Sequence, residues 1–172
     1  MVTADRRGAA PEGASDFQVP RLLRAAEVLG ADGRVMRGRV FLPAAAVSHA
    51  GAMRAEEWMN DPAPFFPFLP DGEGSPVILN KHSILVMTVA ASSDRDATLD
   101  DVAPPTRRIC VECGSLRLSG DVLLDLPVNH SRVLDLLNRP GAFLKLQDGD
   151  RHHLVAKARI TRVSEIAPVS RA

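Results

Sequence analysis

Residues 54–62 read RAEEWMNDP, and residues 132–140 read RVLDLLNRP. Both stretches begin with an arginine, carry an acidic residue and a large apolar pair, and place an asparagine two positions before a proline. Asparagine tolerates the backbone conformation that ends a helix, and the residue before a proline avoids the helical region. Each stretch therefore predicts a short helix that ends near its asparagine.

The sequence around the two stretches also matches. A strand-like run around a glycine precedes each one, RGRVFLP in residues 37–43 and SGDVLLDLP in residues 119–127. A short apolar run and an Asp-Gly turn follow each one. Both then close on a run with Lys three residues before Ile, PVILNKHSILV in residues 76–86 and LVAKARITRV in residues 154–163. This recurrence in the same order predicts an internal duplication.

The alternation of apolar residues in these runs predicts strands, so each copy is interpreted as a β-α-β-β unit. One small sheet with one helix has little stability alone, whereas two such units can share a core. We therefore expect an α+β, β-rich fold. In it, two pseudo-repeated β-α-β-β units pack as one compact sheet or barrel-like domain with pseudo-twofold symmetry.

The chain divides into six predicted segments. Apolar residues at helical spacing between Pro20 and Gly30 predict a short helix. Polar composition with Pro104-Pro105 predicts a linker. The predicted segments are a disordered tail (1–16), a short helix and its connection (17–33), the first unit (34–90), a linker or long loop (91–107), the second unit (108–166) and a tail (167–172).

Composition limits the class of protein. The 172 residues are 45% hydrophobic, and 21 basic residues balance 21 acidic ones. This composition suits a globular domain and argues against a protein whose main task is to grip phosphate backbones. The sequence has no long uncharged apolar stretch and no secretory signal pattern. We expect a cytoplasmic protein without membrane contact.

Cys110 and Cys113 form a C-x-x-C motif, which is half of a zinc ribbon. The histidines that could complete a Cys₂His₂ site are His152 and His153. Residues three apart on a strand point to opposite faces, and so do adjacent residues. We therefore interpret the cysteines as ordinary strand residues and expect no metal or other cofactor. A zinc site and a redox pair are the alternatives.

Catalytic motifs are missing from the sequence: it has no phosphate-binding loop, no dinucleotide-binding glycine motif and no nucleophile elbow. We therefore expect that the protein is not an enzyme. His49 and His130 lie at similar places between the first strand and the helix of each unit. The alternative is thus a small-ligand or enzyme pocket between the two units.

Residues 62–70, PAPFFPFLP, carry three phenylalanines and four prolines close to the only tryptophan. Proline cannot donate a ladder hydrogen bond, so this segment is not a central strand throughout. Its aromatic side chains either fill the core or form an apolar patch for a protein partner or a second copy. The candidate partner-binding residues are Trp58, Phe65, Phe66 and Phe68.

These observations favour a non-enzymatic bacterial regulatory or scaffold protein that acts through protein contacts and self-associates through exposed strand edges. The bacterial assignment follows from a composition rich in Ala, Arg, Pro, Asp and Val, which is typical of GC-rich genomes. The alternative partner is a nucleic acid bound by arginines on one face. Its candidate residues are Arg107, Arg108, Arg117, Arg159 and Arg162.

The closing runs LVAKARITRV and, in the first unit, VILNKHSILV resemble the last strands of Sm-like and other small β-barrels. The resemblance implies a small β-barrel. The nucleotide-binding motif of that family is absent here, so RNA binding is not implied. The broader pattern over residues 34–165 is similar to bacterial domains of unknown function, and that resemblance implies no activity.

Overall fold

A computed structural model describes residues 21–46, 52–91, 105–124 and 132–167. The strands are β1 (Arg21–Gly30), β2 (Val35–Pro43), β3 (Phe65–Pro70), β4 (Val77–Asn80), β5 (Ile84–Ala90), β6 (Thr106–Cys113), β7 (Leu116–Leu123), β8 (Phe143–Asp148), β9 (Arg151–Ala156) and β10 (Arg162–Glu165). The helices are α1 (Ala55–Asn60) and α2 (Val133–Leu137). Within the described ranges, neither helix is long and apolar enough to cross a membrane.

All ten strands form one antiparallel sheet in the order β10-β6-β7-β8-β9-β5-β1-β2-β3-β4. The first half of the chain, residues 21–91, supplies β5-β1-β2-β3-β4. The second half, residues 105–167, supplies β10-β6-β7-β8-β9. The halves meet where β5 pairs with β9, a contact that we call the junction. The β-rich character is confirmed, but the sheet is not closed into a barrel, because its end strands β4 and β10 do not pair with each other.

The segment 17–33 was predicted to contain a helix, and this prediction was wrong, because residues 21–30 form β1. Buried residues alternate toward its end at Ala26, Val28 and Gly30. A turn at Gly33, whose φ is +82°, returns the chain into β2, and β5 pairs with the other edge of β1. The apolar residues of this segment fit both a helical and an alternating spacing. Pairing on both edges decides in favour of the strand.

Each half holds five strands instead of the three expected in a β-α-β-β unit. β1 was taken for a helix, and β6 begins at Thr106, inside the predicted linker 91–107. Each closing run is split into two strands by a 3₁₀ turn, at Lys81–Ser83 and at Lys157–Arg159. The two predicted short helices are confirmed as α1 and α2. Both predicted tails lie outside the described residues, apart from Ala167, and so does most of the linker.

Buried apolar side chains form two clusters, one for each half. The first cluster contains the aromatic side chains of Trp58, Phe66 and Phe68, whereas most of the second comes from aliphatic residues of β6 to β9. The junction strands serve both clusters. Met87 of β5 belongs to the first cluster and its neighbour Val86 to the second, because successive side chains of a strand point to opposite faces.

Candidate protein-binding surfaces at the ends of the sheet

The segment rich in phenylalanine and proline forms β3, and its side chains alternate between two faces. Phe66 and Phe68 are buried, whereas Phe65 is 59% exposed. Trp58 of α1 is also buried, and its ring meets the ring of Phe66 edge-on at a centroid distance of 4.9 Å. Trp58, Phe66 and Phe68 were expected to bind a partner. The structure corrects this, since the alternation of β3 turns them into the core, and Phe65 alone remains a surface candidate.

Among the strands that the structure describes, β4 is the last at this end of the sheet, and its one partner is β3. In the antiparallel register, Ile78 lies opposite Pro67, on the same face as Phe65. Ile78 is 66% exposed. We call Phe65, Pro67 and Ile78 the β4-end patch. It is an apolar surface beside a strand edge that no described strand covers.

The opposite end of the sheet is β10, whose one partner within the described ranges is β6. Arg162 and Glu165 are exposed on this strand, and Val163 between them is half-buried. The same half of the chain also exposes Leu134 of α2, at 63%. The second half therefore has a terminal strand edge that no described strand covers and, on α2, an exposed apolar side chain.

The junction demonstrates how strand edges of this kind are covered inside the molecule. β5 and β9 pair from Val86 opposite Val155 to Ala90 opposite Arg151. Asn60, at the end of α1, reaches across to the start of β8. Its Oδ1 accepts a hydrogen bond from the Phe143 backbone N–H at 2.8 Å, and its Nδ2 donates to the Phe143 carbonyl at 3.2 Å. One carboxamide thus binds both polar groups of a backbone residue from the other half.

Side chains of α1 and β9 complete the junction. Lys145 Nζ of β8 lies 2.8 Å from Glu56 Oε2 of α1, and this ion pair is partly buried. The Phe143 side chain is only 4% exposed, and Leu154 of β9 is fully buried. Both belong to the apolar cluster of the first half. Among the described residues, four kinds of interaction therefore hold the halves together at the junction: the strand ladder, the hydrogen bonds of Asn60 to the Phe143 backbone, an ion pair and buried apolar side chains.

Two lysines hold the chain that follows each helix. Lys81 Nζ donates to the carbonyls of Trp58 at 2.6 Å and Asp61 at 2.9 Å, and Lys157 Nζ donates to the carbonyl of Arg139 at 2.8 Å. Burial lowers the pKa of both ammonium groups, and at Lys81 the nearby Asp61 partly opposes this effect. The Lys81 ammonium also lies 5.7 Å from the centre of the Trp58 ring, within range of a cation–π interaction. These contacts give both lysines a structural role.

The four candidate metal ligands lie on two strands that are not neighbours. Cys110 and Cys113 are buried free thiols on β6, whereas His152 and His153 lie on β9, with β7 and β8 between them. Burial raises the pKa of the Cys113 thiol. His153 Nδ1 lies 2.9 Å from Thr88 Oγ1, and burial lowers the pKa of its imidazole. No group of three metal-ligating side chains occurs in the described part of the chain.

The arginines considered for nucleic-acid binding lie among acidic side chains. Arg108 lies 3.3 Å from a carboxylate oxygen of Asp121 and equally far from one of Asp148. Two others share the carboxylate of Glu112, at 3.2 and 4.0 Å. The members of the set lie on three strands and one turn: Arg107 and Arg108 on β6, Arg117 on β7, Arg159 before β10 and Arg162 on β10. The acidic partners offset part of the positive charge that phosphate binding needs.

A cavity of about 190 Å³ lies where the halves meet. Met59 and Lys81 line it from the first half, and Phe143 and Arg159 from the second. A more open cavity of about 310 Å³ is lined by Glu27 and Arg37 of the first half and by Asp150 and Arg151 of the second. Ligand pockets usually measure roughly 300–1,000 Å³, so the first cavity is below that range and the second is at its lower limit. His49 and His130, the histidines expected beside such a pocket, lie outside the described residues.

Sequence reasoning missed the residues that carry the junction and the open ends. Asn60 was noted only as a helix stop, and nothing in its spacing indicates a partner 83 positions away. Ile78 and Leu134 were treated as ordinary apolar residues of a strand and a helix. The alternation PVILN offered one usable signal, because it turns Ile78 to the face opposite its neighbours Val77 and Leu79.

Comparison with protein-family models, with curated proteins and with solved structures finds no match to this chain. The likeness of the closing runs to Sm-like and other small β-barrels therefore stays a prediction, and so does the wider likeness to bacterial domains of unknown function.

Proposed function

We propose that this chain is a non-enzymatic scaffold or regulatory protein that acts through protein contacts at the two ends of its sheet. The observation that carries the proposal is the β4-end patch. Phe65 and Ile78 are both more than half exposed beside a strand edge that no described strand covers. An open edge offers backbone hydrogen bonds to an added strand, and neighbouring apolar side chains supply further affinity.

We also propose that the two halves are copies of one five-stranded module. In both, the last strand lies at one edge and the fourth strand at the other. Gly38 of β2 and Gly120 of β7 support the correspondence. A Cβ atom at Gly38 would collide with the carbonyl of Leu69 in β3, and one at Gly120 would collide with the carbonyl of Gln147 in β8. Both halves thus need glycine where the same two strands approach closely.

The helix ends support the same correspondence. Lys81 and Lys157 occupy the same place in their closing runs, and each donates to the carbonyl of the residue directly after the asparagine that ends the helical stretch. The backbone N–H of Lys81 binds the carbonyl of Pro64, and that of Lys157 binds the carbonyl of Ala142, both at 2.8 Å. These carbonyls belong to the residues just before β3 and β8.

Site-specific photo-crosslinking in cells of the source organism tests the protein-binding proposal. A photoreactive residue at Ile78 or Phe65 is expected to form covalent adducts with protein. Val35 is the matched control, because it is an exposed apolar residue on β2, a strand that lies inside the sheet between β1 and β3. Adducts that are absent at Ile78 and Phe65, or equally abundant at Val35, would contradict the proposal.

A further inference from the structure

The strands at the two ends of the sheet hold the same positions in their halves as the two strands that pair at the junction. There, the last strand of the first half, β5, pairs with the fourth strand of the second half, β9. The strands left at the ends are β4, the fourth strand of the first half, and β10, the last strand of the second. One end of the sheet therefore exposes a fourth strand and the other a last strand, and these are the two kinds of strand that pair at the junction.

Positions that are buried at the junction correspond to exposed positions at the β4 end. Phe143 begins β8 as Phe65 begins β3. Leu154 lies opposite the third residue of β8, as Ile78 lies opposite the third residue of β3. Phe143 and Leu154 are buried by the first half, whereas Phe65 and Ile78 are exposed. A body docked on β4 as the first half docks on β9 would cover both.

The helices of the two halves correspond in the same way. Glu56 is the second residue of α1, and Leu134 is the second residue of α2. At the junction Glu56 contacts Lys145, the third residue of β8, and the third residue of β3 is Pro67. The equivalent contact between two molecules would place exposed Leu134 against Pro67. An apolar pair would there replace the ion pair.

The asparagines supply an independent indication. Asn60 clamps the backbone of Phe143 across the junction. Asn138 also stands two residues before a proline, but it is exposed, and its side chain makes no hydrogen bond to any residue that the structure describes. By the same correspondence, Asn138 would bind the backbone of Phe65, which lies at the other end of the sheet. A second molecule docked at that end would bring Asn138 and Phe65 together.

We infer that copies of this chain associate head to tail, with β10 of one copy paired antiparallel to β4 of the next as β5 is paired to β9. The inference rests on the proposed protein-binding function and names the partner as a second copy. Three of the six large apolar side chains that are exposed in the described ranges become covered in this contact: Phe65, Ile78 and Leu134. Such a contact is heterologous, so its repetition closes a ring or extends a filament.

The register of the intermolecular ladder follows from the junction. Met87 lies opposite Leu154, and Thr88 lies opposite His153. With the closing runs aligned on their lysines, the same register places Val163 opposite Ile78. It places Ser164 opposite Val77. Adjacent pairs of an antiparallel ladder alternate between hydrogen-bonded and non-hydrogen-bonded geometry, so the two pairs differ in how well they suit a disulfide.

Cysteine pairs in the purified full chain test this register. The double variants Val163→Cys/Ile78→Cys and Ser164→Cys/Val77→Cys are oxidised and run without reductant. We expect at least one of them to form a ladder of covalent dimers, trimers and larger species. Each single variant, and the unmodified chain with its buried Cys110 and Cys113, is expected to stay monomeric on the gel. Efficient dimerisation of Ile78→Cys alone would indicate a symmetric β4–β4 contact and overturn the inference.

Light scattering on the purified chain supplies a test without added cysteines. We expect a mass well above the 18.5 kDa of one chain, which Ile78→Lys reduces to that of the monomer. Val35→Lys is the control, and it is expected to keep the large mass. Both side chains are exposed, so neither change should alter unfolding of the dilute protein. A monomer at the highest soluble concentration would overturn the inference. If crosslinking at Ile78 still captured protein in cells, the proposed function would stand without it.

Discussion

The junction and the two ends of the sheet differ in what lies beside them more than in the residues they contain. At the junction, Asn60 of the first half clamps the backbone of Phe143, and the side chains of Phe143 and Leu154 are buried against the first half. At the ends, an asparagine and two apolar side chains in the proposed equivalent positions are exposed. The difference indicates that the burial of a side chain in this molecule depends on which strand lies beside it. It also makes the junction an internal reference for every experiment on the ends.

The largest expected effect comes from Phe143. Replacing Phe143 with alanine removes a buried ring from the cluster of the first half and should lower the free energy of unfolding by about 3–5 kcal/mol. Phe65→Ala, at the matching exposed position, should change it by about 0.5 kcal/mol or less in dilute protein. Urea denaturation followed by circular dichroism measures both values. Phe143→Leu keeps the comparison measurable if the alanine variant does not fold, and equal losses at the two positions would contradict the proposed difference.

Asn60 should have the next largest effect. Asn60→Ala leaves the Phe143 backbone N–H and carbonyl without their partners, which costs about 1–3 kcal/mol of unfolding free energy. Asn138→Ala should stay within about 0.5 kcal/mol in dilute protein, because its side chain binds no described residue. In concentrated protein, we expect Asn138→Ala to weaken self-association measured by light scattering. If Asn138→Ala destabilised the monomer as much as Asn60→Ala, the Asn138 side chain would make a stabilising contact within a single chain, which would contradict this prediction.

The ion pair between Glu56 and Lys145 should contribute less. Partly exposed pairs of this kind are worth about 0.2–1 kcal/mol and weaken with added salt. A double-mutant cycle with Glu56→Gln and Lys145→Met isolates the interaction from other effects of each change. Its coupling energy in urea denaturation should fall toward zero in molar salt. A coupling that is insensitive to salt would mean that the two side chains interact through packing.

We expect the smallest effect from the pH dependence at His153, which is half-buried in the β5–β9 ladder. Burial is the main reason that its pKa lies below the ordinary value of 6.5. As the pH falls below 6.5, the unfolded chain takes up the proton first, so stability falls as the pH passes down through the folded pKa. The other groups that act on it are Asp148 and Glu27, which raise its pKa, and Arg151 and His152, which lower it.

His153→Val imitates the β4 end, where Val77 occupies the matching position. Unfolding free energies of the two proteins are measured over a series of pH values on both sides of 6.5. The difference between them should change below 6.5, because the variant has no imidazole to protonate. Groups common to both proteins cancel in this difference. Parallel pH profiles would indicate that the His153 pKa is the same in the folded and unfolded chain.

Sequence patterns predicted part of this architecture. The helices were recognisable because helix-forming residues and an Asn-x-Pro ending act locally. The placement of Cys110 and Cys113 on a strand was expected from the extended character of RRICVECGSLRL, and they lie on β6. β1 was not recognised because Leu22, Ala26 and Leu29 have helical spacing. Leu22, Ala26 and Val28 also fit an alternating spacing, and only pairing with β2 and β5 decides between the two. Phe66 could not be separated from Phe65, since a shift of one residue in register exchanges their faces.

The sequence by itself determined the short helices, the turn positions, the β-rich character and the recurrence of one pattern in two halves. These depend on interactions between residues close together in the chain. Tertiary structure alone decided that β5 pairs with β9, that Asn60 binds Phe143 and that β4 and β10 are left at the ends. Such choices depend on which strand edges and side chains meet after the chain has folded, and local spacing carries no information about distant partners.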